Sequence, residues 1–311
     1  MTTPTLRGLM PACPTALTPE GAADPAGMKA LVRYMLDGGA SGLVPLGGTG
    51  EYTALSPATR KATVAACVEA AAGAPVFAGV LAPGLGDALP AARDFAEAGA
   101  DGLMLMVPYY ARNTQEGVID YFRAVRDAVD LPIMLYDNPA RSHYVLDPDT
   151  IATLAEDATI IAMKASNTDL YHFDQVMRRV GPGFAPLSGQ DTLFAQQVAM
   201  GAVGGVLTSA VVVPGIWAQV QTLAETGRMD DALSLQRSLI PLMDALFAEE
   251  NPAPLRHALD RIGLPTGLSQ LPLRPLSAGA AARIDRVLDD LRSAGATLPA
   301  AGADTLTGAS A

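Results

Sequence analysis

Ala98-Gly99-Ala100-Asp101-Gly102-Leu103-Met104-Leu105-Met106-Val107 holds a helix stop and a strand start in one short stretch. The segment before it, residues 87–98, places its apolar residues at helical spacing. Gly99 then ends that helix and the chain turns tightly into an unbroken apolar run, residues 102–107. A continuous apolar run between helices is the pattern of a parallel strand covered on both faces, because neither face needs polar residues. The same kind of run recurs at residues 9–17, 42–46, 75–80, 132–136, 160–164, 184–187 and 204–207. That makes eight runs spaced by roughly twenty to thirty residues, with helical segments such as 116–129 between them. Eight βα units predict an α/β fold whose parallel sheet closes into a (β/α)8 TIM barrel. The rival is a doubly wound open sheet, but no run leads into a G-x-G-x-x-G turn and helix.

From about Pro214 the strand pattern stops, and helical periodicity follows at residues 228–248, 252–262 and 277–294. The expected organisation is therefore a barrel core over residues 1–213, with the last barrel helix and a C-terminal helical subdomain over 214–294. Residues 295–311 are rich in Ala, Gly, Thr and Ser without periodicity and are expected to fray.

The composition excludes several classes of function. A formal charge of -11, with no Lys/Arg run longer than a pair such as Arg178-Arg179, argues against a nucleic-acid surface, so small anionic ligands have to be held by local groups. Two cysteines, Cys13 and Cys67, suit neither a disulfide framework nor a zinc site, which makes a reducing cytoplasm the simplest location. His143, His172 and His257 lack metal-ligand spacing, so no metal is expected. The N-terminus has no charged and then apolar leader, and no apolar stretch is long enough for a membrane helix; a soluble, unexported protein is expected.

The chemistry centres on Lys164, which ends the run Thr159-Ile160-Ile161-Ala162-Met163 and is one of only three lysines, the others being Lys29 and Lys61. At the end of a buried strand, desolvation favours the neutral amine, and a neutral amine is the nucleophile that imine formation with a carbonyl requires. The competing reading is a lysine whose stem is buried while its head reaches water. In a barrel of this kind the residues directly after the strands face the active site. They include Gly47-Gly48-Thr49-Gly50-Glu51-Tyr52, Pro108-Tyr109-Tyr110, Tyr136 with Asp137-Asn138-Pro139-Ala140-Arg141, Ser188-Gly189-Gln190-Asp191, and Thr208-Ser209. The glycine loop offers N–H groups and the Thr49 hydroxyl to a carboxylate. Tyr136 is either a proton shuttle beside an imine or a packed rim residue. Arg141 either pairs with a substrate carboxylate or is solvated. Glu51 orients the loop, binds a backbone N–H or touches substrate, while Gln115 and Glu116 read as a helix start.

Taken together, Gly48-Thr49-Gly50-Glu51, Pro108-Tyr109-Tyr110, Tyr136-x-x-Pro139-x-Arg141, Lys164-x-Ser166 and Leu187-Ser188-Gly189 resemble the dihydrodipicolinate synthase and N-acetylneuraminate lyase family in order and spacing. The likeness extends to Asn251-Pro252-Ala253-Pro254 and Leu271-Pro272-Leu273, and so spans roughly residues 8–290. It implies a class I aldolase-type barrel, free of organic cofactor and metal, in which Lys164 condenses with pyruvate or another 2-oxo acid. By the same resemblance Tyr136 transfers protons, and Gly48, Thr49 and Gly189 belong to the substrate site. Arg141 then serves the carboxylate of a second substrate, such as an aldehyde, or of a longer chain. Tyr110 reaches a neighbouring subunit's site in a homotetramer built as a dimer of dimers.

One position departs from the pattern. The lysine-pathway synthases usually carry a hydroxyl residue where this chain has Gly48, and that hydroxyl links two tyrosines in a proton relay. The Gly-Gly-Thr-Gly-Glu form resembles members acting on sugar-derived 2-oxo acids, whereas Arg141 matches the synthases. The sequence reading therefore places a Schiff-base lyase of 2-oxo acids, by aldol addition, cleavage or dehydration, slightly ahead of 4-hydroxy-tetrahydrodipicolinate synthase. A non-catalytic 2-oxo-acid binder is the alternative of another class.

Overall fold

The structure is a computed structural model that describes residues 6–299; residues 300–311 of the expected tail lie outside the described residues. Among the described residues nine short strands run parallel: β1 (Gly8–Leu9), β2 (Ala12–Cys13), β3 (Val44–Pro45), β4 (Phe77–Val80), β5 (Gly102–Met106), β6 (Ile133–Asp137), β7 (Ala162–Ala165), β8 (Ala185–Ser188) and β9 (Gly204–Gly205). One ladder runs in the order β1-β9-β8-β7-β6-β5-β4, and β2 pairs with β3 in a second. A parallel bridge between Leu43 and Val76 joins β3 to β4, so the sheet curls round on itself as a barrel.

The closure corrects one sequence expectation. The run 9–17 is not a single strand but two, because Pro11 has no N–H to donate and interrupts the ladder between β1 and β2. On one side Met10 and Ala12 donate to the carbonyls of Gly205 and Leu207 at 2.8 and 3.0 Å. On the other, Val44 donates to the Pro11 carbonyl at 3.1 Å. This short segment thereby links the last strand to β3. The contact is close enough to require glycine: a Cβ on Gly204 would lie 2.0 Å from the Gly8 carbonyl oxygen.

Helices alternate with the strands where the periodicity placed them, within a residue or two. The helix Leu85–Glu97 ends in Gly99, whose φ of 87° only glycine adopts without strain. Gln115–Ala128 starts on Thr114, whose hydroxyl accepts the Gly117 N–H at 3.1 Å, so Gln115 and Glu116 are indeed a helix start. The single helix expected over 228–248 is divided into Met229–Ser238 and Ile240–Leu246. Pro241 causes the break, since its ring excludes the carbonyl four residues back. Ile240–Leu246 and Ala253–Arg261 pack on the long helix Ala278–Ser293, and Leu298 beyond it still packs against the core. Trp217, fully buried on the helix Pro214–Glu225, meets Phe194 edge-on at 5.4 Å and donates its indole N–H to Ser209 at 2.9 Å.

Replacing Gly204 with alanine forces β1 and β9 apart at the barrel seam, and the expected result is a loss of about 2 kcal/mol or more in denaturant unfolding. A variant of unchanged midpoint would show that the seam yields freely.

Candidate active site

Parallel register places the central residues. Met106 lies beside Tyr136 and Tyr136 beside Lys164, so the inward face of β5, β6 and β7 carries these three side chains in a row. They line a cavity of about 820 Å3 at the C-terminal ends of the strands. Lys164 and Tyr136 are both buried, and the Lys164 Nζ stands 4.4 Å from the centre of the Tyr136 ring. Burial alone would push the Tyr136 phenol up, but the adjacent Lys164 charge, a hydrogen bond from Asn138 at 2.8 Å, and hydrogen bonding with Ser166 and Lys164 outweigh it. The phenol therefore ionises more readily than an ordinary tyrosine.

A carboxylate also faces the lysine. Asp191 is buried three residues beyond β8, and its carboxylate accepts the Thr208 and Ser209 N–H groups at 3.2 and 2.7 Å and the Ser209 hydroxyl at 2.5 Å. Burial pushes its carboxyl up, while these donors and the Lys164 charge pull against that shift. Gly189 lines the cavity beside it, and a Cβ there would lie 2.1 Å from the Ser166 hydroxyl, which donates to the Gly189 carbonyl at 3.0 Å.

The glycine loop follows β3 between two non-glycine residues in the left-handed region, Leu46 at φ 60° and Glu51 at φ 56°. Gly50 and Glu51 turn their N–H groups onto the Gly47 and Gly48 carbonyls, at 3.1 Å each, so they are not free for a ligand. The Gly48 and Thr49 N–H groups have no such partner among the described residues. The Thr49 hydroxyl accepts from Asn251 at 2.9 Å and lies 3.3 Å from that of Thr208. Gly48 faces open space, since a Cβ there would meet nothing within 4 Å.

Glu51, which the sequence left with three roles, is held by structure. It is buried in an ion pair with Arg256 from the helix Ala253–Arg261 and accepts the Gln270 N–H at 2.7 Å. Arg256 also donates to the Thr266 carbonyl. The pair draws the C-terminal helices over the loop, and Phe247, Asn251 and Leu273 become cavity walls. Arg141, on the short helix Pro139–Ser142, lines the exposed mouth, where it pairs with Glu250 at 2.5 Å.

Of the residues singled out in the sequence, Gly48, Thr49, Tyr136, Arg141, Lys164 and Gly189 thus line one cavity. Tyr110 does not; it is 89% exposed on the loop after β5. Sequence reasoning assigned nothing to Asn138, Glu250, Asn251 or Asp191. A polar residue directly after an apolar run was the available signal for Asn138 and Asp191, and the family pattern included Asn251 without a role for it, but nothing marked Glu250, which lies far along the chain. Among the described residues, no three His, Cys, Asp or Glu side chains form a metal-binding group, and no helix is long and apolar enough to cross a membrane.

The profile of the dihydrodipicolinate synthetase family matches residues 5–291. The chain belongs to this family. Membership makes it a lyase of the pyruvate-using aldolase type, on the TIM barrel that the strands describe. It is 37% identical over 297 residues to the 4-hydroxy-tetrahydrodipicolinate synthase of Methylobacterium radiotolerans, covering 95% of this chain and 98% of the relative. The synthase of Hyphomonas neptunium is 36% identical over 280 residues, covering 88% of this chain and 96% of the relative. Among solved structures, the chloride-inhibited dihydrodipicolinate synthase from Acinetobacter baumannii, complexed with pyruvate, superposes with a TM-score of 0.88 at 29% identity over 94% of this chain and 100% of that one. The dihydrodipicolinate synthase from Aquifex aeolicus gives a TM-score of 0.86 at 29% identity, over 94% and 99%.

Next to Tyr136 the strand turns the opposite way, and Asp137 enters the layer between barrel and helices. It is 1% exposed, neither carboxylate oxygen has a hydrogen-bond partner, and burial pushes its carboxyl up to about 6, with His172 pulling it partly back. The unfolded group titrates near about 4, so the folded protein binds the extra proton between about pH 4 and 6 and carries the full cost of the buried charge above that window. Asp137→Asn is accordingly expected to stabilise the protein by up to about 3 kcal/mol at neutral to alkaline pH and to lose that advantage as the pH falls towards about 4. Thermal unfolding across that range checks the sign.

Arg256→Met leaves Glu51 as an unpaired buried charge and is expected to cost about 3 to 5 kcal/mol in chemical unfolding. The substitution frees the glycine loop as well, so KM for the carboxylate substrate should rise in whatever fraction remains folded.

Proposed function

We propose that the chain is a Schiff-base-forming lyase in which Lys164 condenses with pyruvate, and that its physiological reaction joins pyruvate to aspartate semialdehyde, the reaction of 4-hydroxy-tetrahydrodipicolinate synthase. The observation that carries the imine step is the burial of Lys164 against Tyr136 on the floor of the cavity. The choice of aldehyde moves from the sugar-acid reading to the synthase because the relatives described above carry that name and because Arg141 stands at the mouth.

The amine of Lys164 adds to C2 of pyruvate, forming the C–N bond, and water leaves to give the imine. The imine draws electrons from C3, so a C3 proton departs and an enamine forms. The enamine carbon then bonds to the aldehyde carbon, whose oxygen takes up a proton. Displacement of the lysine at C2, by water or by the amine of the second substrate, returns the free enzyme. Tyr136 is the group placed to accept and return these protons, since its phenol is held below its usual value. The unpartnered Gly48 and Thr49 N–H groups and the Thr49 hydroxyl suit the pyruvate carboxylate, with Gly189 beside them. Arg141 suits the carboxylate of the second substrate, which would take it from Glu250.

Tyr110, exposed on its own subunit, is the residue we assign to a neighbouring subunit's site in a homotetramer. The open space at Gly48 favours a second reading, an aldolase or dehydratase of a bulkier sugar-derived 2-oxo acid.

Borohydride reduction in the presence of pyruvate, followed by intact mass and peptide mapping, is expected to give one adduct on Lys164, and Lys164→Ala to abolish both adduct and turnover. A Lys164→Ala protein that keeps its affinity for pyruvate, beside a wild type that forms no adduct, would make the chain a binder instead. Steady-state turnover with aspartate semialdehyde, compared with 2-keto-3-deoxy sugar acids, decides between the two enzyme readings.

A further inference from the structure

Asn138 stands at the N-cap of the short helix Pro139–Ser142, where an asparagine side chain ordinarily accepts an N–H from the first turn. Here the side chain makes no such bond, and only the backbone carbonyl serves the helix, taking the Arg141 and Ser142 N–H groups at 3.0 and 2.9 Å. The amide points into the cavity and donates to the Tyr136 Oη at 2.8 Å. The reach follows from alternation, since residues 136 and 138 face the same way while Asp137 faces the helices. In the same cavity the glycine loop has no side chain at position 48, and a Cβ there would meet nothing within 4 Å. Position 48 therefore supplies no side-chain donor to the phenol; Asn138 supplies one, beside the hydrogen bonding of Ser166 and Lys164.

We propose that Asn138 is a positioning residue for Tyr136, holding the phenol oxygen in place beside Lys164 and favouring its ionised form through a charge-assisted hydrogen bond. The inference rests on the reading of Lys164 and Tyr136 given above. An asparagine in this place lets the phenol release its proton and take one back without the help of a loop hydroxyl. The cost is local: the helix start gives up its side-chain cap, and a side chain that breaks a local rule at a cavity wall points to a demand from the site.

Two variants test this. Asn138→Ala removes the donor, and Asn138→Asp keeps the shape but sets a carboxylate oxygen against the phenol. The readout is the rate of borohydride-trapped imine formation on Lys164 with pyruvate, followed between about pH 6 and 10, together with kcat and KM. Asn138→Ala is expected to slow trapping and kcat about tenfold, with little change in KM for pyruvate. The acid limb of the profile should move up by about one pH unit, because losing a donor raises the phenol pKa. Asn138→Asp should move it further. In a Tyr136→Phe background, Asn138→Ala should have no additional effect.

Thermal unfolding of the isosteric Asn138→Asp protein guards against a mere folding defect. An unmoved acid limb in both folded variants, or an undiminished effect of Asn138→Ala without the Tyr136 hydroxyl, overturns the role of Asn138 and leaves the imine standing. A wild-type protein that forms no adduct overturns both.

Discussion

The parallel register of β5, β6 and β7 is the constraint on which the site depends. Side chains alternate along each strand, so the pairings of Met106 with Tyr136 and of Tyr136 with Lys164 decide that all three point inward. A slip of one residue in β7 would send the ammonium into the helix layer and bring Met163 inside. The apolar residues around Lys164 prevent the slip, since Ala162, Met163 and Ala165 are all buried and none can trade places with a charged side chain cheaply. The inward position of Lys164 is thus inherited from ordinary strand packing.

The walls have a different origin. A barrel of this size leaves its strand ends open, and the roof comes from the C-terminal helices. The buried pair of Glu51 and Arg256 joins them to the glycine loop, with Gln270 and Thr266 satisfying the remaining groups. Such a pair adds little net stability compared with apolar packing, but it tolerates only one arrangement of its partners. It sets the position of the loop, and Asn251, in the turn just before the helix Ala253–Arg261, then reaches the Thr49 hydroxyl.

The eight apolar runs were legible because a parallel strand buried on both faces must be apolar throughout. The division of the first run at Pro11 and the helix break before Pro241 were less so, although both prolines stood in view; which ladder bond or helical turn a proline removes depends on its neighbours in space. Lys164 and Tyr136 stood out as polar residues ending apolar runs, and the family pattern extended that reading to Thr49, Arg141 and Gly189. Asn251 stood in the family pattern without a role, and Glu250 carried no signal, because both join the cavity from a turn between helices more than eighty residues beyond Lys164.

By itself the sequence determined the alternation of strands and helices, the barrel it implies, and the residue types at the strand ends, because periodicity and burial are local properties of the chain. Only the tertiary structure decided what those side chains meet: that Asn138 serves a phenol instead of a helix end, that Arg141 is paired with Glu250, that Asp137 is buried without a partner, and that Glu51 holds a roof in place. Each of these is a contact between groups or a lack of one, set by distance and orientation in the folded chain, and spacing along a sequence does not carry that information.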